Sequence, residues 1–190
     1  MRYIWSLPNR VFHWGLVIFI LIAYLSDDYL RLHIAVGIGV LSLVVFRILW
    51  GVLGIKYSDF KDWGKEPSHN KIASIVMGLI LIDILLICIT GLFSYFYNIS
   101  EDIHEFFANS LYFLIALHLL GVSKEFLINK TNVFSIFNGY KKGEFESIKL
   151  NSFQKLISII LLTISFISPI VVFIFVDGNS DNYYELYEDD

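Results

Sequence analysis

Five apolar runs, at about 10–27, 32–51, 71–93, 103–127 and 153–176, divide the chain. Each is near the ~20 residues that a helix needs to cross hydrocarbon. Backbone polar groups in lipid must be satisfied internally, and runs of this length do so as α-helices. Composition agrees: 56% of the 190 residues are apolar and 17% are charged, whereas soluble domains carry roughly 25% charged residues. The expected fold is an all-α, polytopic membrane protein of one domain's size. A net charge of −4 argues against a nucleic-acid partner. The single cysteine, Cys88, excludes an intrachain disulfide, a multi-cysteine zinc site and a covalent c-type haem motif, and it reads as a small apolar filler.

The first run follows Arg2 and Arg10 as a secretory signal would. No small-x-small cleavage site comes after it, however, and His13 and Trp14 sit near its start, so it is read as a retained helix. With an N-terminus in the cytoplasm and five crossings, every lysine and arginine except Arg31 falls on the cytoplasmic side. That asymmetry is a positive-inside signal and places the C-terminus outside. The segment from Ser26 to Arg31 is so short that the first two helices must be antiparallel neighbours. The loop at about 52–70 is broken by Gly54, Gly64 and Pro67, and a second polar segment, 128–152, links the fourth and fifth helices.

Four histidines, His13, His33, His104 and His118, lie within or at the edge of apolar runs. Intramembrane ionisable residues are costly and mark functional sites by default, although a lone one is most often a hydrogen-bonded packing residue. The spacing of the set decides between these readings. His104 and His118 are 14 residues apart, which is ~21 Å along one helix and within ~40° of the same face. Counting through the 26–31 turn puts His33 level with His104, and His13 ~20 Å deeper, level with His118. Two imidazole pairs, each bridging two helices at one depth, suit the axial ligation of two b-type haems. Gly37, Ala108 and Gly121 stand three or four residues after ligands, where a porphyrin needs a small neighbour; His13 has only Leu16 and Val17 there. Zinc fits poorly, because it wants one common centre.

These residues fall into ordered motifs. They are Trp5-Ser6-Leu7-Pro8-Asn9-Arg10-Val11-Phe12-His13-Trp14, then Leu32-His33 with Gly37, then Phe46-Arg47-Ile48-Leu49-Trp50-Gly51. Gly64, His69-Asn70 and Thr90-Gly91-Leu92-Phe93 follow, then His104-Glu105-x-x-Ala108-Asn109 and Leu117-His118-Leu119-x-Gly121-Val122-x-x-Glu125. A weaker echo runs from Asn132-Val133 to Gly139-Tyr140-Lys141. Over roughly 5–142 the chain resembles the bacterial cytochrome b-561 family, which includes the cytochrome b subunits of nickel–iron hydrogenases. The resemblance implies a four-helix bundle around two b-type haems, held by His13 with His118 and by His33 with His104, and electron transfer between the quinone pool and a redox partner. A di-haem unit over 1–142 is therefore expected, followed over 143–190 by a cytoplasmic link, the fifth helix and an acidic tail whose role does not carry over.

Other residues leave alternatives open. Arg47 lies 14 residues after His33 on the same face, level with the deeper haem, where a propionate needs a cationic fork; the alternative is an interfacial, snorkelling arginine. Arg10, one turn before His13, is a similar candidate. Asp83, mid-span on helix 3, reads as a carboxyl bonded to a neighbouring helix, with proton relay as the alternative. His69 reads as an interfacial histidine, with a quinone headgroup as its functional alternative. Pro169 is expected to kink the fifth helix. The tail from Asp177 to Asp190 carries six acids and no base among Tyr183, Tyr184 and Tyr187. It is either a solvated end or a steering patch for a cationic periplasmic carrier such as a c-type cytochrome.

The reading is electron transfer across the bilayer through two haem b groups, with no side-chain catalysis and with a quinone admitted as a further ligand. The expected partners are the lipid bilayer, the quinone pool and either a periplasmic c-type cytochrome or a hydrogenase or dehydrogenase subunit. Rival readings are a membrane anchor for such a complex and a quinol oxidoreductase in its own right. A transporter fits less well, for want of paired broken helices.

Overall fold

The computed structural model describes residues 1–53, 55–65, 70–97, 101–128 and 130–175. Among them, five helices are long and apolar enough to cross a membrane: α1 (Leu7–Leu25), α2 (Leu30–Val52), α3 (Lys71–Tyr97), α4 (Glu101–Ile128) and α7 (Ser152–Phe175). All five expected spans are present. Two reach about a turn past the apolar runs: α3 runs on to Tyr97, and α1 starts at Leu7, with Pro8 pre-set for a first turn. The fold is an all-α bundle, and the protein is a multi-pass membrane protein.

Helix α2 is the hub. It packs against α1, α3 and α7, whereas α4 packs along α3 and makes no comparable contact with α1 or α2. The core follows α2: Val40, Leu43, Val44, Phe46 and Trp50 are buried together with Phe12 and Leu16 of α1, Ile84 of α3 and Leu111 of α4. Helix α7 belongs to this bundle rather than standing apart. Ser168 Oγ lies 3.1 Å from Ser42 Oγ of α2, Ser158 and Ser165 are buried, and a Cβ on Gly39 would meet the ring of Pro169. Small residues let two helices approach where lipid offers no hydrophobic drive for packing.

Of the segment expected as a plain link, 128–152, residues 130–151 form a folded cap on the end of the bundle that carries the N-terminus. It holds the short helices α5 (Lys130–Val133) and α6 (Ser135–Asn138) and the strand β2 (Tyr140–Lys141), which pairs antiparallel with β1 (Arg2–Tyr3). Gly139 adopts φ 86° at the end of α6, a conformation that glycine takes without penalty, and its carbonyl accepts from the N–H groups of Ile4 and Trp5. The 55–65 loop joins the cap. Asn9 Nδ2 donates to Ser58 Oγ at 2.7 Å, Tyr57 O–H donates to the Glu146 carbonyl, and Lys56 pairs with Glu146. Their mutual hydrogen bond holds the Glu146 carboxyl below its ordinary range and the Lys56 amine above its own.

Candidate functional site

His33 sits one turn into α2, beside the last turn of α1. The carbonyl of Ala23 is among the terminal acceptors that a helix leaves without an intrahelical partner; it accepts from Ser26 and lies 3.0 Å from His33 Nδ1. His104, one turn into α4, presents Nδ1 at 3.0 Å to the carbonyl of Ile87 on α3. A carbonyl only accepts, so in both residues Nδ1 carries a proton, and in a neutral imidazole Nε2 is then the nitrogen that keeps the lone pair. This is the outer-shell arrangement that orients imidazole ligands and raises their basicity.

The two rings meet edge-on across the α2–α4 gap, with centroids 6.0 Å apart and planes at 82°. Two metal–imidazole bonds of about 2.0–2.1 Å, with half a ring beyond each nitrogen, require a separation of roughly 6 Å. Gly91 makes room for one of the rings: a Cβ there would stand 3.0 Å from His104 Cε1 and 3.1 Å from Nδ1. Among the described residues, no group of three or more His, Cys, Asp or Glu could hold a metal ion. A two-imidazole donor set suits a metal that brings its remaining ligands with it, as a porphyrin-bound iron does.

The second pair lies at the capped end. His13 is half-buried on α1, its ring edge-on to Trp14 with centroids 5.3 Å apart, and it lies within electrostatic reach of the half-buried His118 on α4. The small residues also have room beside them. A Cβ on Gly37 or on Gly121 would meet no atom within 4 Å, and Ala108 is half-buried on the His104 face of α4. Because α4 packs on α3 rather than on α1 or α2, each histidine pair spans two helices that do not pack against each other.

Arg47 is buried at the capped end rather than snorkelling. Its guanidinium lies 4.8 Å from the ring of Phe60 and 5.2 Å from that of Trp63, both from the loop after α2. Its Nη1, and the indole Nε1 of Trp50 one turn further on, are buried donors without a partner among the described residues. Arg10 is directed elsewhere: it donates to the Phe137 carbonyl and to Tyr3 Oη. Asp83 is buried between helices, with Oδ1 accepting from Ser110 Oγ of α4 at 2.6 Å and Oδ2 without a partner among the described residues. Cys88 Sγ faces the Gly37 carbonyl at 3.9 Å. His69 and the acidic tail lie outside the described residues.

Sequence reasoning did not find the Ala23 and Ile87 carbonyls, Gly91 as the space beside His104, or Trp50 as a second buried donor. Gly91 within an apolar span was the one local signal. A family model described as prokaryotic cytochrome b561 matches residues 4–139. Comparison with curated proteins and with solved structures gives no match.

Proposed function

The chain belongs to the prokaryotic cytochrome b561 family, and we propose that it carries electrons across the bilayer through two b-type haems. Membership makes it a membrane b-type cytochrome of electron transfer. The two-haem reading, with His33 and His104 on one iron and His13 and His118 on the other, rests first on the Nδ1-anchored, adjacent imidazoles of His33 and His104. When bound, each haem iron takes up and releases one electron. The chain's own part is positional. The Ala23 and Ile87 carbonyls fix the tautomer and orientation of two ligands, and the open space at Gly37 and Gly121 admits a flat ring. The 14-residue spacing on α4 sets the sites ~21 Å apart, one toward each surface. Apolar helices keep water away from both. Arg47 Nη1 and Trp50 Nε1 are proposed to receive a propionate of the haem at the capped end, which would satisfy two buried donors.

The capped end is proposed to face the cytoplasm, since it carries all the basic residues but Arg31. The quinone pool is proposed as one redox partner, and a periplasmic carrier or dehydrogenase subunit as the other, with the acidic tail steering a cationic carrier. The test is optical. Pyridine haemochrome analysis of the purified chain should give non-covalent haem b, and a quinol analogue should reduce it in detergent. A protein purified without haem, or haem that quinol leaves oxidised while dithionite reduces it, would refute the corresponding part of the proposal.

A further inference from the structure

A groove with about 400 Å³ of free space runs down the outer side of the capped end, between α1, α6 and α7. Its wall changes character along its length. Arg10 and Phe137 stand at the head, Trp14 follows, and Ile18 and Phe166 line the deep end. From Leu7 to Ile18 the groove follows α1 for 11 residues, ~16 Å of rise, which is half of a ~30 Å hydrocarbon core. It is a slot one leaflet deep, apolar within the membrane and cationic at the interface. Two aromatic rings, Trp14 and Phe137, meet at 4.9 Å beside its head, the depth at which amphipathic rings settle.

Among the described residues no carboxylate pairs with the charge at the head; Arg10 donates to neutral groups, the Phe137 carbonyl and Tyr3 Oη. A basic head above a leaflet-long apolar slot matches a phosphodiester carrying acyl chains.

We propose that this groove binds one anionic phospholipid, its phosphate against the Arg10 end and an acyl chain along Ile18 and Phe166. None of the four histidines lines the groove, which borders His13 through Trp14, and its test reads lipid retention rather than haem.

The test uses the full chain in detergent, titrated with phosphatidylglycerol or with phosphatidylcholine of identical acyl chains and read by native mass spectrometry. One phosphatidylglycerol per chain should be retained at concentrations where phosphatidylcholine is not, inorganic phosphate should fail to compete, and high salt should weaken retention. Arg10→Gln should weaken retention about fivefold, the worth of one basic residue at an anionic surface. Ile18→Trp fills the deep end without touching the charge and should weaken it as well; that variant decides the matter if Arg10→Gln does not fold. Equal retention of the two lipids, displacement by free phosphate, unchanged binding in Ile18→Trp, or an isoprenoid quinone held in place of phospholipid would overturn the proposal.

Discussion

Gly91→Ala tests the geometry around His104 with one methyl group. The new Cβ would stand 3.0 Å from Cε1 and 3.1 Å from Nδ1 of the imidazole, where ordinary contact begins at 3.4 Å. The ring must therefore retreat by a few tenths of an ångström. Its Nδ1–H bond to the Ile87 carbonyl, now 3.0 Å, lengthens toward the limit of a useful hydrogen bond. Most of such a bond's net worth, about 1 kcal/mol, is then lost, which corresponds to about fivefold weaker haem retention at the His33–His104 site. A less basic imidazole also donates less to iron, so the midpoint potential of the haem that remains should rise. Transfer of haem to an excess of apomyoglobin, followed optically, separates a fast-leaving from a slow-leaving population. One of the two should accelerate in Gly91→Ala while the other keeps its rate. Unchanged rates for both, or acceleration of the component that His13→Ala removes, would refute this account of the site.

Three further outcomes follow from the same contacts. Gly37→Leu adds a side chain where a Cβ meets no protein atom, so the helical fold measured by circular dichroism should persist while one haem is lost; full haem content would put that haem elsewhere. Arg47→Leu leaves a propionate charge unneutralised, removing a charge-assisted bond of about 1.5–3 kcal/mol and lowering the midpoint potential of the capped-end haem; an unmoved potential would leave Arg47 a purely structural residue. Ser110→Ala removes the hydroxyl that donates to Asp83, costing about 1–3 kcal/mol in thermal unfolding, with Asp83→Leu in the same background restoring most of it; a neutral Ser110→Ala would contradict this.

The spans were legible because hydropathy alone sets them, and the 26–31 turn fixed the α1–α2 hairpin by its length. Depth along the helices suggested the pairing of His33 with His104, whose rings lie 6.0 Å apart. What was not legible depends on residues distant in sequence. The Nδ1 anchors are backbone carbonyls, which carry no residue signature. Ser110 as partner to Asp83 lies 27 positions away. The burial of Arg47 requires Phe60 and Trp63 to fold over it, so an even choice between haem partner and interfacial residue was all that the sequence supported. The packing of α7 onto α2 runs through Ser42, Ser168, Gly39 and Pro169, small residues that mean hydropathy averages away. The cap over 130–150 reads as a polar link because its strand and short helices are held by contacts to the N-terminus and the 55–65 loop.

The most direct test of the central claim is the haem-to-polypeptide ratio of paired double variants. The parent should hold about two haems, and His33→Ala/His104→Ala and His13→Ala/His118→Ala about one each, because each removes both ligands of a single iron. His13→Ala/His33→Ala, which takes one ligand from each iron, should hold none. A cross-pair variant that keeps one haem beside a same-pair variant that loses both would contradict the account.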